Sequence, residues 1–141
     1  MPFKFEKLQV WQLALEYVDA VYAVAQVLPS TERYNLASQF RRAATSVALN
    51  IAEGSIGQTD AEQARFLGLA IRSLLETVAC QHLISRRGYL QDAQPLRDLH
   101  RRSETLVAKL HTLRKTIARE KQWVREPSAD YAVGDEQELP F

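Results

Sequence analysis

The stretch from Gln39 to Gly54 (QFRRAATSVALNIAEG) constrains this chain more than any other. Wound as an α-helix at 100° per residue, it sorts into two adjoining stripes. Leu36, Phe40, Ala44, Val47, Ala48 and Ile51 form an apolar face. Beside it run Gln39, Ala43, Ser46, Asn50 and Glu53, spaced four, three, four and three. That is coiled-coil spacing, filled with polar and small residues where leucine is usual. Two environments fit such a seam. A close helix–helix contact uses small residues to bring backbones together and gives buried polar groups their partners. A solvated flank of the helix carries the same residues facing water.

Four long helical segments, and no convincing strand, can be read along the chain. The first runs from about Lys7 to Val27. Its apolar residues Trp11, Ala14, Leu15, Val18, Tyr22 and Ala25 are flanked by a second set, Val10, Leu13, Tyr17, Val21 and Val24. A helix apolar over so much of its circumference has more to bury than one core contact requires. Pro29 breaks it. The second helix starts between Ser30 and Leu36 and ends at Glu53, with Gly54 suited to the left-handed position after the last turn.

The third opens with the capping box Thr59 to Glu62 and stops near Gly88. Its apolar series is Phe66, Leu67, Ala70, Ile71, Leu74, Leu75, Val78 and Ile84. The fourth starts near Pro95, a good first-turn residue, and carries Leu96, Leu99, Ser103, Leu106, Leu110, Leu113 and Ile117 on one face. Short connections between such helices predict an all-α, antiparallel up-down-up-down four-helix bundle over residues 1–122. Residues 123–141 form a polar, aperiodic tail whose composition predicts no fixed structure of its own. Its Leu-Pro-Phe end could fray or dock on a partner.

The 141 residues suffice for one domain with a real core, and 46% hydrophobic with 25% charged residues is ordinary for a water-soluble chain. The net charge of +1 hides an asymmetry: residues 124–141 total −4, leaving +5 on the rest. One cysteine, Cys80, permits no internal disulfide, and its apolar helical setting suggests a buried structural thiol. No signal peptide is recognisable, and Glu16 with Asp19 speaks against a membrane span in the first helix, so a cytoplasmic protein is expected.

Chemistry of the usual bundle kinds is not indicated. Di-iron bundles need Glu-x-x-His on two helices, and the pattern does not occur. His100 and His111 share a face but stand about 16 Å apart along a helix, too far for one ion. Cys80 and His82 diverge around theirs. No catalytic residue, metal or cofactor is therefore expected, and no nucleophile elbow or phosphate-cradling glycine loop occurs. The turn Gly54 to Gly57 aims amides at the start of the third helix. It could hold an anion or serve as a plain connection.

What remains is positive charge. Arg97, Arg101, Lys115 and Arg119 fall within about 40° of one another on the fourth helix, opposite its leucines. Arg102 and Lys109 lie at the margin. Arg41 and Arg42 add a doublet on the second helix, with Arg41 on the far side from the seam. Such a stripe can track phosphates with salt-dependent affinity, or simply keep a helix soluble. Repetition around an oligomer would strengthen its field.

Trp11, Pro29, Glu32, Tyr34, Leu36, the run Gln39 to Ala43, Ser46 and above all Asn50 to Gly54 form a recognisable set. Phe66, Leu67, Ala70, Ser73, Leu74, Glu76 and Gly88 to Leu90 extend it. Over residues 3 to 120 the chain resembles the four-helix-bundle proteins encoded by intervening sequences in bacterial 23S rRNA genes. The accessory variability proteins of diversity-generating retroelements look similar. The resemblance implies a homopentameric barrel of bundles, with nucleic-acid binding in the retroelement relatives and no established enzymatic activity. Phe40 stands where the pattern usually has Ile, and the near-neutral net charge departs from the basic retroelement relatives.

The combined expectation is a non-enzymatic homo-oligomer with a polar helix–helix seam of Gln39, Ser46, Asn50 and Glu53. It would bind structured RNA or DNA weakly through Arg41, Arg97, Arg101, Lys115 and Arg119. The alternative is a ring that serves as a scaffold for a protein partner, without nucleic acid.

Overall fold

The computed structural model describes residues 3–56, 59–121 and 140–141, with side chains of the last helix described through residue 118. Four helices account for most of the described residues: α1 (Gln9–Gln26), α2 (Leu36–Ile56), α3 (Asp60–Arg87) and α4 (Gln94–Lys121). Short 3-10 turns at Lys4–Lys7 and Ser30–Glu32 precede α1 and α2, and no strand occurs among the described residues. α2 packs on α3 and α1, and α4 packs on α3 and α1, which closes a four-helix bundle. The acidic segment 123–139 lies outside the described residues.

The helix ends follow local chemistry. Thr59 Oγ1 accepts the amide of Glu62 at 3.1 Å and starts α3. Gly88, at φ +66°, closes it in the left-handed conformation that only glycine adopts without strain. Gly54 behaves differently from the sequence expectation. It is not a left-handed terminator; α2 continues through it to Ile56. Its missing side chain serves packing instead, because a Cβ there would stand 2.8 Å from Phe66 Cβ on α3. Of the turn Gly54 to Gly57, read either as an anion holder or as a plain connection, the first three residues belong to α2. Gly54 and Ser55 are helical and buried, Ser55 Oγ donates to the Ala52 carbonyl at 2.9 Å, and Gly57 lies outside the described residues.

The core takes Val10, Ala14, Tyr17, Val21, Val24 and Ala25 from α1. The flank read as secondary thus supplies most of the burial, while Leu15 and Tyr22 of the other remain exposed. From α4 come Leu96, Leu99, Ser103, Leu106, Leu110 and Ile117, with Leu113 half-buried. α3 is long and apolar enough, by length and composition, to cross a bilayer, but Leu67, Ala70, Ile71, Leu74 and Ile84 are buried inside the bundle. Cys80 is a buried free thiol whose pKa is pushed up to about 11 by burial, with Glu76 adding to the effect.

A polar knot sits within this core. The Tyr17 hydroxyl lies 2.6 Å from Thr77 Oγ1 and 2.7 Å from Ser103 Oγ. Gln81 Nε2 donates to Tyr17 and to Ser103, each at 3.0 Å. Thr77 and Ser103 can in turn donate to the carbonyls of Leu74 and Leu99. Burial raises the Tyr17 pKa against the lowering effect of these hydrogen bonds, so the phenol stays protonated. The knot ties α1, α3 and α4 at one level.

Gly54→Ala gains about 0.5–1 kcal/mol of helix propensity but forces Phe66 away, an overpacking cost of about 1–3 kcal/mol. A net loss of about 1 kcal/mol in urea denaturation is expected. Gly68→Ala meets only the mobile Arg114 guanidinium, 3.2 Å from the added Cβ, and should be neutral or stabilising. Tyr17→Phe should cost about 1–3 kcal/mol, because Gln81 and its partners lose their shared hydroxyl. Its denaturation midpoint should fall with the slope unchanged.

Candidate functional site

The seam divides into three parts. Ala43 is buried. Ser46 Oγ meets Ser73 Oγ of α3 at 2.9 Å, and Asn50 Nδ2 donates to both the carbonyl and the hydroxyl of Ser46, at 2.9 and 3.0 Å. Ser46 and Asn50 are half-buried, so the middle of the seam is a hydrogen-bonded contact within the chain. Gln39 and Glu53, at its two ends, are exposed in the single subunit and correspond to the solvated reading. The reason is geometric: the two helices are closest where small residues oppose each other, and the longer side chains lie outside that strip.

Between α2 and α3 the same residues line an open groove of about 420 Å³, bounded by Ser46, Asn50, Leu69, Arg72, Ser73 and Glu76. Its walls carry hydroxyls, an amide and one charge of each sign.

The cationic residues do not form one patch. Arg97 and Arg101 stand on the outer face of α4, and both are engaged along their own helix. Arg97 donates from Nε and Nη2 to Gln94 Oε1 at 3.3 and 3.0 Å, Gln94 Nε2 donates to Asp98 at 2.8 Å, and Arg101 Nη1 reaches Asp98 at 3.4 Å. Lys115 is exposed two turns or more further along. The Arg119 side chain lies outside the described residues. Arg41 is separate: it is half-buried on α2, a helix that makes no packing contact with α4. Arg41 thus lies apart from the α4 row.

Arg114, Thr77 and Gln81 were not singled out from sequence, whereas Arg102 and Lys109 were read as the margin of the stripe. Arg102 reaches Glu16 of α1 at 3.7 Å, and Lys109 Nζ reaches Gln9 at 3.5 Å, so the margin of the cationic helix is spent on α1. Arg114 lies across Gly68. Thr77 and Gln81, on the buried side of α3, were hidden within an apolar series; only their four-residue spacing pointed to a shared face. His111 has its pKa lowered by burial, then by Arg114 and Lys115, which favours the neutral ring. Among the described residues no cluster of three or more metal-ligating side chains occurs.

Asn50→Leu should cost the subunit about 1 kcal/mol, the worth of a partly exposed hydrogen bond. Gln39→Leu breaks no described bond and should leave subunit stability within about 0.5 kcal/mol. A change of mass in light scattering for Gln39→Leu, without a change in denaturation midpoint, would place that end of the seam between subunits.

No match is found among curated proteins. The family model described as 23S rRNA-intervening sequence protein matches residues 6–122, which run from the first 3-10 turn through α4 and include the whole seam. With most of its length inside that match, the chain belongs to the 23S rRNA-intervening sequence protein family.

Proposed function

We propose that this chain is a non-enzymatic subunit of a cytoplasmic homopentameric barrel of antiparallel up-down-up-down bundles, and that the ring binds structured RNA or DNA weakly through the outer face of α4. The observation that carries the binding is the row Arg97, Arg101 and Lys115, directed away from the buried leucines of the same helix. The local hydrogen bonds of Arg97 and Arg101 are exposed and cheap to exchange for phosphate contacts, since exposed ion pairs contribute only about 0–1 kcal/mol. The antiparallel arrangement is supported by the order of pairing. Gln9 meets Lys109 while Glu16 meets Arg102, and Ser46 meets Ser73 while Gly54 meets Phe66.

Assembly is supported by apolar side chains that one subunit leaves outside. Leu49 and Ile56 of α2 are 54% and 67% exposed, and Leu75 and Leu83 of α3 are 55% and 51% exposed. Such residues suit burial against another chain. The same observation favours a second reading, a ring that presents these surfaces to a protein partner with no nucleic acid involved.

Fluorescence anisotropy with a structured RNA separates the two. If about four phosphates are neutralised, affinity should fall roughly a hundredfold between 50 and 200 mM salt. The triple variant Arg97→Glu, Arg101→Glu, Lys115→Glu should abolish binding while leaving the melting curve nearly unchanged. Binding that survives this reversal, or that ignores salt, rules out the α4 face. Co-purification of one stoichiometric protein after nuclease treatment would favour the scaffold.

A further inference from the structure

Phe141 packs against the outside of the core. Its ring stands edge-on to His82 of α3, with centroids 5.3 Å apart at 70°, and to His100 of α4, 5.2 Å apart at 89°. The two imidazoles are themselves 6.3 Å apart at 79°. Three mutually perpendicular rings set positive edges against negative faces, the arrangement aromatic groups prefer. Glu104 Oε1 holds His100 Nδ1 at 3.1 Å, which steadies one wall of this seat.

Charge and chain length both suit the occupant. Arg86 lies one turn beyond His82 on α3, and Arg97 one turn before His100 on α4, so cations flank the seat. The chain that ends there is acidic, with Asp135, Glu136 and Glu138 just upstream of Leu139, Pro140 and Phe141. α4 ends at Lys121, about 32 Å along the helix axis from the level of His100. The 18 residues from 122 to 139 can span at most about 60 Å, which exceeds that distance. A connection of such length gives the group it carries an effective concentration of about millimolar, which a competing segment can match.

We propose that the His82–His100 pair is a docking site for an acidic segment of the Leu-Pro-Phe type, occupied in cis by this chain's own Phe141. The terminus closes the α3–α4 face to other ligands of that chemistry and yields it to them by competition.

The test compares the intact chain with one lacking Pro140 and Phe141, a truncation that removes no helical residue. The probe is the hexapeptide of residues 136–141 (EQELPF), and the readout is the NMR signals of the His82 and His100 rings. Without peptide, those signals should differ between the two chains, and Phe141→Ala should match the truncation. The peptide should shift both rings saturably in the truncated chain, and the intact chain should need at least tenfold more of it. A peptide ending in alanine should have no effect. Identical ring signals in intact and truncated chains would overturn the proposal, as would a hexapeptide inert towards the truncated chain. Transfer between labelled and unlabelled copies, with Phe141 of one near the histidines of another, would overturn occupancy in cis.

Discussion

Where α2 lies on α3, almost nothing stands between the two backbones but small groups. Gly54 admits Phe66, Ser46 touches Ser73, and Ala43 and Ala70 are buried nearby. This is the most extensive helix pairing in the bundle. Interiors are packed densely enough that one added methylene is felt, so a strip of this kind locks the helices at one distance and one register. The rest of the molecule is oriented by that lock. It decides that the middle of the seam turns inward while Gln39 and Glu53 lie on the outside of the single subunit. Because α3 also carries α4, it decides as well which side of α4 faces out.

The polar knot around Tyr17 sets a second constraint at the opposite side of α3. A hydroxyl or amide buried without a partner costs about 1–3 kcal/mol, so Tyr17, Thr77, Gln81 and Ser103 are tolerable only while they meet one another. Sliding α1 by one turn would take the Tyr17 hydroxyl from Thr77, Gln81 and Ser103, and sliding α4 would take Ser103 from Tyr17 and Gln81. An apolar core would accept several registers, whereas this one accepts one. Gln81 Oε1, buried with no hydrogen-bond partner among the described residues, shows that the knot is not fully satisfied. The burden falls on a carbonyl, since turning the amide over would strand its two N–H donors instead.

Electrostatics on α4 are more restrained than a count of its cations suggests. Asp98 and Gln94 engage Arg101 and Arg97 along the helix, while Glu16 and Gln9 draw Arg102 and Lys109 towards α1. These contacts are exposed and screened, so they position the cations without neutralising the helix. Phe141 meanwhile packs on His82 of α3 and His100 of α4.

Hydrophobic periodicity, proline and capping chemistry determined a great deal by themselves: four helices, the leucine face of α4, the Thr59 start and the left-handed Gly88 are properties of local sequence. The family was legible too, in the run Asn50 to Gly54. What periodicity could not decide was the use of each face, because a helix apolar on two flanks, like α1, does not say which flank its neighbours will cover. Gly54 was misread for a related reason. A glycine near a helix end reads as a terminator locally, and only the arrival of Phe66 from another helix makes it a packing site. The knot at Tyr17 and the seat of Phe141 were likewise decided by tertiary structure, since each depends on distances between segments that are remote along the chain.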